Sequence, residues 1–336
     1  MSAYGRNVYT QSVLSAIGDM KPQHVFINDN KLIEAAEELA SMDLGHNDWR
    51  GAIFPGEDDD RFMAFLVVSG AINFCFTDFT TDKSFDVEYP TGEIKTGASA
   101  MFASLMRAIE ERIDVLDPSV LMGLTQEKVL HIFRHAETPM PMLEERTRHL
   151  NNLGKNFRNK KKNFADVFRK NGFRAFHSSR RGGIVADLAR IACYGDESLW
   201  KGKWMLFHKR AQLVPMMYHG RALSSNGALP LLLDPENIGP IADYRVPQAL
   251  RHKGVIHYSR ELAMLVHSGC AIPKHSDMEI EIRARGVVEV MDRLITEVNL
   301  RRPPDAEIVM GQLDYPLWKM GPQAAGRHHY TYTTAY

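Results

Sequence analysis

Cysteine is scarce in this 336-residue chain: Cys75, Cys193 and Cys270 stand far apart, with no Cys-x-x-Cys pair. That spacing excludes a disulfide framework, and without histidines clustered at metal-ligand spacing it also argues against a structural zinc. A reducing, cytoplasmic setting is the expectation. An excess of charge is missing too, since Lys plus Arg and Asp plus Glu both number 41. The broad positive field of a protein that grips long nucleic acid is therefore absent, and a small charged ligand suits the chain better. No apolar run approaches the ~20 residues of a membrane span. The opening MSAYGRNVYTQSVL has no basic segment leading into an apolar one, so neither secretion nor membrane insertion is expected. Internal repeats and low-complexity blocks are lacking as well.

What is present is the composition of a globular protein, 44% hydrophobic and 24% charged, enough for one large core or two modest ones. The apolar spacing is mostly helical. Val13, Leu14 and Ile17 share one face, and Leu32, Ile33, Ala36 and Leu39 another. The acidic run 57–60 reads as a solvated loop before the buried stretch 62–76. Alternation at Phe85, Val87 and Tyr89, then Pro90-Thr91-Gly92 and Ile94, predicts a β-hairpin, the only sheet expected. Helical spacing resumes at Met101. Thr125 heads a further helix, and a charged one starts at Pro141 and stops at Gly154. The basic run 155–164, interleaved with Phe157 and Phe164, reads as a solvated helix face before it reads as an RNA-binding strip. An amphipathic helix is expected over 184–195, and Ser276 with Glu279 suits a capping box opening a long helix.

The stretch on which the rest depends is 240-PIADYRVPQALRHKG-254. Asp243 precedes Val246, Ala249 and Leu250 at helical spacing, and Gly254 ends the pattern, so Asp243 reads as the N-cap of a short buried helix. The Ile-Gly-Pro turn before it predicts a tight helix-to-helix connection. Upstream, Lys209, Arg210 and Gln212 sit inside the apolar run 204–214, where a lysine either snorkels to water or holds an anion in a partly buried pocket. The Gly/Ser/Asn-rich segment 219–230 reads as a flexible loop and a candidate lid. Asn73 beside Phe74 and Phe76 offers an amide and two rings for a flat base, or simply two core phenylalanines.

Six motifs in order, NFCF at 73–76, LEERTRHLNNLG at 143–154, HKRAQ at 208–212, DYRVPQAL at 243–250, EIEIRA at 279–284 and LDYPLW at 313–318, resemble the queuosine-nucleotide N-glycosylases of queuine salvage. The resemblance spans most of the chain. It implies a mainly α fold related to helix-hairpin-helix DNA glycosylases, as a single domain over 1–336 with packing helices in 1–60 and a catalytic core in 61–320. It further implies hydrolysis of queuosine 5′-monophosphate to queuine and ribose 5-phosphate, with no metal or redox cofactor, no membrane and no stable nucleic-acid partner. By this resemblance Asp243 is the catalytic carboxylate and Lys209 its cationic partner. Asn73, Phe74 and Phe76 belong to the base wall, and Arg210, Gln212, Arg245, Gln248, Tyr315 and Trp318 fall at substrate-binding motif positions. Lys209 or Arg210 would hold the 5′-phosphate or assist the leaving base. The family usually has an aspartate where this chain has Gly70 and a tryptophan where it has Thr77, which leaves open a related 7-deazaguanine or other purine nucleotide. A non-catalytic RNA-binding module using 155–164 is a third reading.

Overall fold

The computed structural model describes residues 4–18, 20–177 and 182–336. The fold is mainly α, as expected. In chain order the elements are α1 (Val8–Ile17), β1 (Val25–Ile27), α2 (Asp29–Ser41), α3 (Asp60–Ala71), β2 (Thr77–Asp78), β3 (Lys83–Ser84), β4 (Asp86–Glu88), β5 (Ile94–Thr96), α4 (Gly97–Glu110), α5 (Pro118–Met122), α6 (Gln126–Ile132) and α7 (Leu143–Asn159). There follow α8 (Asp166–Lys170), α9 (Ile184–Ala189), β6 (Glu197–Trp200), β7 (Lys203–Leu206), α10 (Lys209–Leu223), α11 (Arg245–His252), β8 (Ile256–Tyr258), α12 (Arg260–Ser268), α13 (Asp277–Arg283), α14 (Val290–Arg301) and α15 (Met310–Met320). A π-helical turn, Ala284–Glu289, links α13 to α14 in one long rod.

The predicted hairpin forms, β4 against β5 with Val87 opposite Lys95. It is not the only sheet. Three more two-stranded antiparallel pairs form among the described residues, β1–β8, β2–β3 and β6–β7. The first joins chain segments more than two hundred residues apart, beyond the reach of any local pattern.

Several helix ends follow their expected chemistry. Thr125 caps α6 by accepting from the Lys128 amide, and Ser276 caps α13 by accepting from the Glu279 amide. The acidic run does more than meet solvent: Asp59 caps α3, and Asp58 pairs with Arg50 and the buried Arg221. Gly154 does not end α7. A Cβ there would lie 2.6 Å from the Pro118 carbonyl oxygen, so the glycine permits α5 to approach mid-helix. The expected helix over 184–195 shortens to α9 and a 3-10 turn, Ala192–Tyr194. Phe157 and Phe164 are buried, edge-to-face at 4.8 Å, and leave no aromatic strip on the surface for RNA.

The buried side chains form two main cores. One gathers α3, α4, α7 and the apolar side of α10; the other gathers α1, α2, α11, α13, α14 and α15. The seam passes between consecutive residues, since Ile241 belongs to the first core and Ala242 to the second. No helix among the described residues is long and apolar enough to cross a membrane.

Candidate active site

At that seam lies a cavity lined by Asn73, Lys209, Asp243 and Asp314, with an apolar wall that includes Phe102, Leu213, Met216 and Met217 and aromatic rings from Trp49, Tyr315 and Trp318. Each polar group arrives on a different element. Lys209 is the first residue of α10, whose start is set by Asp196: its carboxylate accepts from the Lys209 amide at 3.0 Å and is itself held by Arg283 at 2.7 Å. The Lys209 stem thus leaves a fixed helix terminus.

Asp243 is not the N-cap expected of it: that position falls to Tyr244, which makes no side-chain cap. Helix α11 begins two residues later, and one carboxylate oxygen, Oδ1, accepts from the Arg245 amide at 2.8 Å. The other, Oδ2, lies 3.0 Å from Lys209 Nζ. Both side chains are almost wholly buried, at 3% and 5% exposure. Lys209 Nζ also donates to the Asn73 backbone and side-chain oxygens, each at 3.3 Å. Its three protons therefore have three acceptors. The approach to α11 is a 3-10 turn, Pro235–Asn237, and an extended stretch, where a tight connection between two helices was expected.

The motif 313–318 contributes a group that attention to its aromatics passed over. Asp314 is buried, its Oδ1 has no hydrogen-bond partner in the structure, and it faces the same cavity. Burial, reinforced by the charge of Asp243 and only partly offset by Lys209, pushes its pKa well above the ordinary carboxylate range. One cavity thus holds two carboxyls, Asp243 paired with Lys209 and Asp314 with one oxygen lacking any hydrogen-bond partner. The available signal was an aspartate one turn before Trp318 on an otherwise apolar helix face.

The remaining expected site residues are not brought to the cavity. Phe74 is buried behind it, with the Arg146 guanidinium 4.3 Å from its centroid and that of Arg210 at 5.5 Å, and Phe76 joins the same core. Arg210 donates to the carbonyls of Ala71 and Cys193, each at 2.6 Å, and of Ala335 at 3.3 Å. Gln212 bridges Asn7 and the Gly239 amide. These polar groups are spent on backbone, the usual fate of buried donors. Arg245 and Gln248 bond each other and line a separate shallow groove with Thr77 and His328. Nor do the two family departures touch the cavity. A Cβ at Gly70 would meet Val214 at 2.7 Å and the Tyr194 hydroxyl at 2.8 Å, and the Thr77 hydroxyl sits 3.0 Å from His328 Nε2. The segment 219–230 opens as buried helix, with His219, Gly220, Arg221 and Ala222 inside α10, so its first turn is no flexible lid.

A buried ion pair in a cavity walled partly by aromatic rings, at the junction of two helical cores, is the kind of concave site in which enzymes place their chemistry. The chain belongs to the queuosine salvage protein family, whose family model matches residues 53–336. It is 29% identical to the queuosine 5′-phosphate N-glycosylase/hydrolase of Sphaerobacter thermophilus over 94% of each chain. To the proteins of the same description from Mus musculus and Bos taurus it is 30% and 28% identical, over 79% and 88% of this chain and 77% and 87% of theirs.

Proposed function

We propose that this chain hydrolyses the N-glycosidic bond of queuosine 5′-monophosphate, releasing queuine and ribose 5-phosphate, as a single catalytic domain of the helix-hairpin-helix glycosylase kind. The observation that carries the reading is the buried pair of Asp243 and Lys209, closed in by Asn73 and Asp314 and faced by aromatic rings. Cleavage lengthens the bond between base and sugar, and positive charge develops at C1′. A fixed carboxylate beneath that carbon stabilises the transition state more than the ground state. Asp243 is held from both sides, by the Arg245 amide and by Lys209, so little reorganisation accompanies the step. The same carboxylate orients the attacking water and takes its proton.

The departing base gathers negative charge and needs a proton donor. Asp314, kept neutral by burial and by the neighbouring carboxylate, has a proton to give. Lys209 has its three protons directed at three acceptors, which favours direct hydrolysis over an intermediate covalent to its amine. The aromatic rings of Tyr315 and Trp318, 6.2 Å apart and near parallel, offer the base its stacking surface. Neither a metal nor a redox cofactor enters this chemistry. The setting that suits it is the cytoplasm, acting on free nucleotide with no nucleic-acid partner.

The test is base release from queuosine 5′-monophosphate by the purified protein, followed by chromatography. Asp243→Asn is expected to keep the fold and lose turnover. An Asp243→Asn protein that works at the wild-type rate would refute the assignment.

A further inference from the structure

The cavity is tight, about 40 Å³. That is room for a few waters, whereas pockets for nucleotide-sized ligands run to several hundred Å³. Part of the wall has to move. Phe102 is carried by α4, the Leu213–Met217 face by α10 and the Asp314–Trp318 face by α15, all packed into a core. Trp49 is different. It lies on the irregular segment 42–59, with Gly45, Asp48, Arg50 and Gly51 exposed around it. Its backbone adopts a left-handed conformation, φ 51°, that a bulky side chain rarely takes. Its indole meets Tyr315 edge-on at 5.3 Å and thereby joins the aromatic wall.

What holds that segment is a second buried cation. Arg221, on α10, is 1% exposed and is not part of the cavity lining. It donates to the Trp49 carbonyl at 2.7 Å and to those of Pro55 and Gly56 at 2.9 Å, and it pairs with Asp58. Beside it Gly220 lets the segment lie directly on α10: a Cβ there would collide with the Asn47 carbonyl oxygen and stand 3.2 Å from the Trp49 indole nitrogen. Trp49 precedes the 53–336 family match, so the case for it is wholly geometric.

We propose that Trp49 is a specificity-determining residue of this site: its indole moves aside to admit the nucleotide and then closes on the planar base beside Tyr315. Arg221 is its positioning residue. The inference rests on the nucleotide-hydrolysing reading of the same cavity. In steady-state hydrolysis of queuosine 5′-monophosphate, Trp49→Ala raises KM by at least about tenfold, the loss of one base–aromatic stack, while kcat stays within about threefold. Trp49→Phe recovers most of the affinity. Arg221→Gln shifts KM the same way and adds nothing to Trp49→Ala in the double variant, because both act through one ring. Gly220→Ala displaces the segment from the other side and reproduces the KM effect, which keeps the inference testable should Arg221→Gln fail to fold. A folded Trp49→Ala with unchanged KM, or Trp49→Ala and Gly220→Ala effects that multiply, overturns it. If the wild-type protein releases no base and Asp243→Asn binds no nucleotide, the hydrolase reading falls and takes this inference with it. Normal base release with an indifferent Trp49→Ala defeats this inference alone.

Discussion

Lys209 and Arg210 are neighbours on α10, both buried and both cationic, yet they serve regions of opposite character. Lys209 points into the cavity and meets a side-chain carboxylate and an amide. Arg210 points behind it, into a knot where it and Arg146 grip Phe74 and stitch together the carbonyls of Ala71, Cys193, Ala335, Phe74 and Cys75. That knot also receives the end of the chain, as Cys75 donates its amide to the Tyr336 carbonyl at 3.0 Å. What a buried cation does is thus decided by its acceptors: a fork of planar donors satisfies several fixed carbonyls at once, whereas a single ammonium on a long stem can stand against one carboxylate in a cavity.

The comparison breaks most sharply at its anionic pole. Asp243→Asn is expected to lower turnover by at least roughly three orders of magnitude, since it removes the charge placed for the transition state, and to lower the melting temperature without unfolding the protein, because one amide oxygen still accepts from Arg245 while Lys209 loses its counter-charge. Next come the two cations, taken as a pair. Lys209→Met should cost about a hundredfold in kcat and leave a folded protein. Arg210→Met should instead lose on the order of 3 kcal/mol of stability, since it strands buried carbonyls, with the deficit visible in denaturant melts before any assay. Equal effects of the two on kcat alone would erase the distinction drawn here.

Asp314 sharpens the cavity side. Its raised pKa means that, above the ordinary carboxylate range, the native state still holds a proton that the unfolded chain has already released. Stability is therefore lost as pH climbs through that window. Asp314→Asn removes this liability, so it should melt higher than the wild type at neutral pH while turning over roughly ten- to a hundredfold more slowly. Its rate should also lose the alkaline fall that ionisation of the donor imposes on the wild type. A variant both less stable and unaltered in pH profile would contradict the neutral-donor role. The smallest effect is expected at Thr77, which bonds His328 away from the cavity: Thr77→Ala should leave KM for the nucleotide within about twofold.

The residues show where reading by pattern succeeds. Caps at Thr125 and Ser276, the hairpin at Pro90-Thr91-Gly92 and the helix after Asp243 all depend on partners close by in the chain, no farther than Asp86 from Thr96, and those were readable from spacing. Asp243 was nameable from its place before a helical pattern and Lys209 as a polar group inside an apolar run, and the family resemblance supplied the roles. Arg210 and Gln212 carried the same signal as Lys209, and Phe74 that of a ring beside Asn73, yet all three point away from the cavity, because spacing does not record the direction in which a buried side chain points. Asp314 and Trp49 were missed for the converse reason, since each becomes remarkable only beside residues far along the chain.

From its residues alone this protein is a mainly helical, charge-balanced chain with one aspartate at the head of a buried helix, because helix periodicity and capping are written over a few consecutive positions. Only the tertiary structure brought Asn73, Lys209, Asp243, Asp314 and Trp49 to a single cavity and turned Arg210 away from it. Five segments had to meet at the seam of two cores, and that meeting is set by long-range packing that no local pattern encodes.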